Sequence, residues 1–293
     1  MSILNSILFG ALQGLLEFLP VSSFGHILVL QKIFGLTDSM GTLFPAFLHL
    51  GTAFSLIVYY KKDVGKILVE SFEMLMELLG NLVFYIHNKR HMDQMRYHRI
   101  ISSAYRRFVC LIMLSLVPTA LLGFSARNLV QLAVHSSMAP GICMLLNGVF
   151  LIIVDLSGCG GKKSPRHIGF HSALWMGICQ GLSVFPGISR CGFTVGAGMF
   201  CGYSRKMAVK VSYLMSIPAV FGAFFCEIYY AGAGGAMPVA WSSCIAGTVG
   251  AFIAGFIFCS TILKFLKTTK LRIFAGYCFL AGAVILIGSI RGI

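Results

Sequence analysis

The chain has 293 residues, of which 57% are hydrophobic and only 11% charged. Soluble domains carry about 25% charged residues, and several apolar runs here are long enough to cross a bilayer. The composition therefore excludes an ordinary soluble enzyme, and the lack of alternating hydrophobicity excludes a membrane barrel. The formal net charge is +14, yet the cations sit between apolar runs, where the positive-inside rule puts them. Nucleic acid is accordingly not an expected partner. Most of the ten cysteines lie inside apolar runs, where they behave as small hydrophobes. No basic region precedes the first apolar stretch, so that stretch is expected to belong to the mature protein rather than to a cleaved signal.

In chain order, residues 2–12 are apolar but only half a span long, and Pro20 and Gly25 break the run before a second short helix over Ser23–Phe34. Two half-length helices around a Pro/Gly break predict a re-entrant hairpin over 2–34. A full span follows at 42–60, closed by Lys61 and Lys62. Residues 61–107 form a long polar insert, with an amphipathic helix at Lys66–Ile86 that carries Glu70, Glu73 and Glu77. Its second part, Asn88–Arg107, is rich in Lys, Arg and His and reads as a solvated loop touching anionic headgroups. Spans are predicted at 108–124 and 138–156, joined by a short loop with Arg127 and His135. A Gly/Lys/Pro linker at Gly158–Arg166 marks the midpoint. A second short pair then covers 168–200 around Pro186-Gly187, and spans follow at 207–230, 239–263 and 272–290.

The order reads as two halves, 1–156 and 168–293, each a short pair followed by three spans. Gln-Gly recurs at 13 and 180 before each break, a weak internal repeat. Placing Lys61, Arg106, Lys163, Arg205 and Lys267 on one side leaves Arg127 and Arg291 on the other. That bias sets the first hairpin entering from outside and the second from the cytoplasm, an inverted-topology repeat whose hairpins meet near the midplane. The expected fold is thus all-α and polytopic, with about six full transmembrane helices and two re-entrant helical hairpins.

Glu17 is the one carboxylate well inside an apolar segment, and buried ionisable groups in membranes point to function. Gln13 lies four residues earlier, on the same helical face. Arg190 is the one arginine inside the second hairpin, and guanidinium groups grip phosphate oxygens bidentately. Ser22 or Ser23 suits an N-cap, with His26 in the first turn, and Pro186-Gly187-Ile188-Ser189 offers a matching helix start. Two helix N-termini, an arginine and a histidine facing one point describe a phosphate site. Ser23 is a candidate nucleophile with His26 as its base; attack by His26 or by water activated by His26 stays open. Glu17 and Gln13 are candidate ligands for a divalent cation completed by substrate oxygens. His49, alone in mid-span, reads as a helix–helix hydrogen bond. If Glu17 and Arg190 share one diphosphate, they must lie within about 10 Å of each other.

The stretch Gln13-Gly-Leu-Leu-Glu17-Phe-Leu-Pro-Val-Ser-Ser-Phe-Gly-His26 resembles the first signature of the undecaprenyl-diphosphate phosphatases of the bacitracin-resistance type, and Pro186-Gly-Ile-Ser-Arg190-Cys-Gly192 resembles the second. The resemblance covers nearly the whole chain. It implies a multi-pass hydrolase of the bacterial plasma membrane, with its active site open to the outer face. Such an enzyme removes the terminal phosphate of undecaprenyl diphosphate, so that the lipid carrier returns to peptidoglycan synthesis. It implies a divalent cation, Mg²⁺ or Ca²⁺, with a polyprenyl diphosphate lipid and the bilayer as partners, and leaves a homodimer open. Glu17, Ser23, His26 and Arg190 would be catalytic; Gln13, Ser22, Gly187, Ser189 and Arg190 would bind substrate. The chain departs from the pattern at Gln13 (often Glu), at Phe24 (a small residue), at Cys191 (often Ser) and in the long insert. A transporter or polyprenyl-phosphate flippase is the alternative on the same architecture.

Overall fold

The computed structural model describes residues 2–36, 42–91, 94–158, 160–161, 169–233 and 240–291. Among them are twelve helices and no strand. In order they are α1 (Ile3–Leu16), α2 (Ser23–Ile33), α3 (Leu43–Tyr59), α4 (Lys61–Arg90), α5 (Ala104–Ser125), α6 (Arg127–His135), α7 (Ala139–Leu156), α8 (Phe170–Leu182), α9 (Arg190–Phe200), α10 (Arg205–Ala233), α11 (Trp241–Thr268) and α12 (Leu271–Ile290). Most of the linker expected at Gly158–Arg166 falls outside the described residues.

Helices α5, α7, α10, α11 and α12 are each long and apolar enough to cross a membrane. Helices α3 and α4 meet at Tyr60 with a bend of 93° and together make a sixth candidate span. The chain is a multi-pass membrane protein, and its outer faces carry large exposed apolar side chains such as Leu121, Ile253, Leu280 and Val284. With lipid as solvent those side chains need no cover, while every backbone group of a span must be paired inside its own helix.

Two expectations about the connections are corrected. The predicted loop between the spans at 108–124 and 138–156 contains a nine-residue helix, α6, whose polar and apolar residues segregate to opposite faces. The amphipathic helix expected at Lys66–Ile86 runs further in both directions, as the 30 residues of α4.

Without a hydrophobic drive between helices in lipid, association depends on close backbone approach. The first short helix, α1, lies along α11, and α8 lies along α5. Each uses two glycines one turn apart: Gly10 and Gly14 on α1, Gly177 and Gly181 on α8. A Cβ at Gly10 would overlap the carbonyl oxygen of Gly247, and one at Gly177 would overlap that of Ser115. Helix α7 packs on α12, and α3 packs on both α10 and α11. In the second short pair, Gly192 and Gly196 face α7 while Gly198 faces α10, all at close contacts.

Candidate active site

The breaks between α1 and α2 and between α8 and α9 lie against each other. Ser22 caps α2, its Oγ accepting from Gly25 N at 3.3 Å and also from Gly187 N at 3.1 Å across the two breaks. Its φ of 63° makes it the one described non-glycine residue in the left-handed region. For an L-residue that region costs about 1–2 kcal/mol, which the two amide bonds and the His26 contact to its carbonyl help to offset. Gly187, with φ 107°, turns the chain where a Cβ would strike the Pro140 carbonyl. Ser189 caps α9 through Gly192 N at 3.1 Å and donates to Leu19 O at 3.3 Å. Buried Asn147 of α7 pins both sides, donating to Pro20 O at 2.9 Å and accepting from Ser189 N at 3.1 Å. Tyr213 of α10 adds a bond to Phe18 O at 2.7 Å.

Glu17 is buried at the centre of this junction. Its Oε1 accepts from Arg190 Nη2 at 2.7 Å and Nε at 3.2 Å. Its Oε2 accepts from Ser23 Oγ at 2.6 Å and from Gln13 Nε2 at 2.7 Å, and His49 Nδ1 lies 3.1 Å away. Gln13 Nε2 is also 2.8 Å from His49 Nδ1. One carboxylate thus gathers a guanidinium, a hydroxyl, an amide and an imidazole in a medium where each interaction is worth more than in water. The Arg190 guanidinium sits 5.7 Å from the Tyr213 ring centre, and its Nη1 is buried without a hydrogen-bond partner.

Above this cluster opens a cavity of about 460 Å³, lined at one end by Glu17, Ser22, Ser23, His49, Ser189 and Arg190. The starts of α2 and α9 therefore both border the cavity. Its walls are mostly apolar, including Phe24, Leu116, Val184 and Phe224, and a second polar group at Thr42, Arg127 and Glu227 lies along it.

The structure brings together Gln13, Glu17, Ser22, Ser23, Gly187, Ser189 and Arg190. It does not bring His26 against Ser23. His26 Nδ1 donates to Ser22 O at 2.7 Å, which leaves Nε2 to accept from Tyr277 OH at 2.7 Å, with the two rings stacked at 5.7 Å. Ser23 donates instead to Glu17. His49, read from sequence as a helix–helix hydrogen bond, makes one with Gln13 of α1 and also faces the cavity and the Glu17 carboxylate. Asn147 and Tyr213 were not singled out in the sequence at all, because a single Asn or Tyr inside a span looks like any other buried polar residue.

Among the described residues no three His, Cys, Asp or Glu side chains converge as a metal site. One observation does fit a cation: Gln13 Oε1 is buried without a hydrogen-bond partner, beside the Glu17 carboxylate. The residues present suit a divalent ion whose remaining ligands come with a bound diphosphate.

The fold and the site define a class: a polytopic helical membrane protein with an acid–guanidinium–hydroxyl cluster between two broken helix pairs, at the end of an apolar-walled cavity. The chain matches the family described as bacitracin resistance protein BacA over residues 6–284, and it belongs to that family. It is 35% identical over 292 residues to a protein of Desulforapulum autotrophicum named undecaprenyl-diphosphatase, covering 99% of both chains. It is 31% identical to proteins of the same name from Alkaliphilus metalliredigens and Methanosphaera stadtmanae, covering 99% of this chain and 100% and 99% of theirs.

Proposed function

We propose that this protein hydrolyses undecaprenyl diphosphate to undecaprenyl phosphate and inorganic phosphate, recycling the lipid carrier of cell-wall synthesis and lowering sensitivity to bacitracin. The observation that carries this reading is the convergence of Glu17, Ser23 and Arg190 within hydrogen-bonding distance at the end of an apolar cavity. A diphosphate has its place at that polar end, and a prenyl chain has its place along the apolar walls.

The chemistry divides among the chain's own groups. Arg190 offers its free Nη1 and, on leaving Glu17, its other donors to the terminal phosphate. The starts of α2 and α9 add positive dipole ends beside the same anion. The Ser23 oxygen attacks the terminal phosphorus while its proton passes to Glu17 Oε2. The bond from that phosphorus to the bridging oxygen breaks, and undecaprenyl phosphate leaves. Water then displaces phosphate from Ser23, whose oxygen takes the proton back. Gln13 and His49 hold the carboxylate in position. His26 holds the Ser22 carbonyl, and with it the strained turn on which Ser23 is mounted. A divalent cation held by Glu17 and Gln13 with the diphosphate oxygens would neutralise charge on the phosphates.

We read the two halves as inverted repeats in the bacterial plasma membrane, with the cavity open to the outer face. The reciprocal packing of α1 on α11 and of α8 on α5 supports the first point, and the asymmetry of loop charge supports the second. The test is phosphate release from undecaprenyl diphosphate by purified protein in detergent with Mg²⁺ or Ca²⁺ present. No release by protein that retains its helical circular dichroism would refute the activity.

A further inference from the structure

Helix α4 leaves the body at a right angle to α3 and, at 1.5 Å per residue, reaches about 45 Å. Its base is fixed: Lys210 Nζ donates to Asp63 Oδ1 at 2.6 Å, Tyr105 OH donates to Asp63 O at 3.2 Å, and Lys66 lies over the Tyr105 ring. Beyond the base, the polar edge of α4 is closed by its own returning chain. Asn81 pairs with both backbone groups of His98 at 2.8 and 2.6 Å, and Asn88, two turns on, does the same with Met95 at 3.0 and 2.8 Å. Arg106 then takes up all three glutamates, with Nε on Glu70, Nη2 on Glu73 and Nη1 on Glu77, each under 3.0 Å.

The consequence is an arm whose carboxylates are covered and whose remaining surface is apolar. Between Leu68 and Ile86 every exposed side chain is aliphatic, Met or aromatic except Glu73, which Arg106 holds. Leu68, Phe72, Leu75, Leu79, Leu82 and Ile86 recur at alternating spacings of four and three, a continuous stripe. Exposed cations frame it: Lys61 and Lys62 at the base, Lys89 and Arg90 at the tip, and Arg96 and Arg99 on the returning segment. Among the described residues nothing covers the stripe, whose side chains all remain exposed.

We propose that this arm is a membrane-surface helix, lying along the boundary of acyl chains and anionic headgroups, with its apolar stripe in the lipid and its framing cations among the phosphates. Three observations select a bilayer as the occupant. The bend of 93° at Tyr60, with α3 along the bilayer normal, turns α4 and its stripe into the bilayer plane. The cations complement anionic lipid. And Arg106 removes from that surface the three negative charges that would repel it. Arg106 is in this sense a charge-masking residue, and the arm fixes the depth at which the body and its cavity sit.

Two native methionines test this in the full chain, without any variant. Met76 lies on the exposed apolar face of α4 flanking the stripe, between Phe72 and Leu79, and Met95 on the returning segment, with similar exposure in the isolated protein, 53% and 44%. In vesicles of phosphatidylcholine and phosphatidylglycerol, water-borne hydroxyl radicals should oxidise Met76 several-fold more slowly than Met95, each rate normalised to denatured protein. Equal rates would overturn the proposal. The protection should persist when the protein is diluted into excess lipid; its loss on dilution would assign the stripe to a second copy of the chain and overturn the lipid reading. Protection should weaken in phosphatidylcholine alone, and no change there would remove the headgroup contact assigned to the cations. None of these readouts depends on the hydrolase reading.

Discussion

At the scale of single residues, the site is organised by competition for one carboxylate. Glu17 accepts from Arg190, Ser23 and Gln13 at once. Removing either charge leaves the other buried and unpaired. Arg190→Ala is therefore expected to destabilise the protein by about 3–5 kcal/mol, read as a lower unfolding temperature in detergent, and to abolish hydrolysis. Arg190→Lys should keep much of the stability yet lose about 10²–10³-fold in kcat, because an ammonium supplies a point charge without the fork that spans two oxygens. A lysine variant of near-normal kcat would show that the guanidinium is structural. His26 calls for a different experiment. Its Nε2 is taken by Tyr277 OH, so Tyr277→Phe should cost about 0.5–1.5 kcal/mol of stability and leave kcat close to wild type. A large fall in kcat with stability unchanged would return His26 to the proton-transfer role that the sequence motif suggests. Glu17, Ser23 and Arg190 were legible because ionisable groups and paired serines stand out in apolar segments. His49 was not, since a histidine in mid-span carries no signal of what faces it until α1 is placed beside α3.

Between elements, glycine spacing decides where helices can meet. The spans were legible as apolar runs closed by cations, and the breaks as Pro/Gly interruptions. The pairing of α1 with α11 and of α8 with α5 was not, because a run of small residues does not name its partner. Once the pairs are known, Gly10 and Gly177 explain them, each against a carbonyl of the opposing helix. Gly177→Leu should push α8 off α5 and carry the α9 start, with Arg190, away from Glu17. The expected result is a loss of stability of at least about 1–3 kcal/mol from overpacking together with loss of activity, measured on the same preparation. Gly276 has open space around its Cβ position and lies outside the cavity lining, so Gly276→Ala is the control and should leave the unfolding temperature nearly unchanged. A Gly177→Leu protein as stable and active as that control would show that the close contact does not hold the second pair in place. Asn147 works at this scale too, since it spans Pro20 O and Ser189 N. Asn147→Leu strands both buried groups, at about 1–3 kcal/mol each, and should lower the unfolding temperature accordingly.

Across the whole molecule, the two halves repeat a residue spacing around their breaks and differ in what they mount on it. Gln13-Gly14 is followed nine residues after Gln13 by the cap Ser22 and then by Gly25; Gln180-Gly181 is followed at the same distances by the cap Ser189 and by Gly192. Gln13 and Gln180 even share a buried, unpartnered Oε1. In that register Glu17 corresponds to Val184 and Ser23 to Arg190, so one half presents acid and hydroxyl where the other presents an apolar group and a cation. The sequence showed only the Gln-Gly echo, because the diverged positions are the ones that carry chemistry. If the register is correct, a carboxylate at 184 should stand to Arg190 as Glu17 stands to Ser23. Glu17→Val alone strands Arg190 and should be strongly destabilised. Adding Val184→Glu should recover part of that loss, with a coupling of about 0.5–3 kcal/mol in a double-mutant cycle of unfolding free energies. Activity should stay absent in the double variant, because Ser23 no longer has its proton acceptor. No coupling would refute the register. Recovered hydrolysis would refute the role of Glu17 as the acceptor, since the carboxylate would then be working from the opposite half.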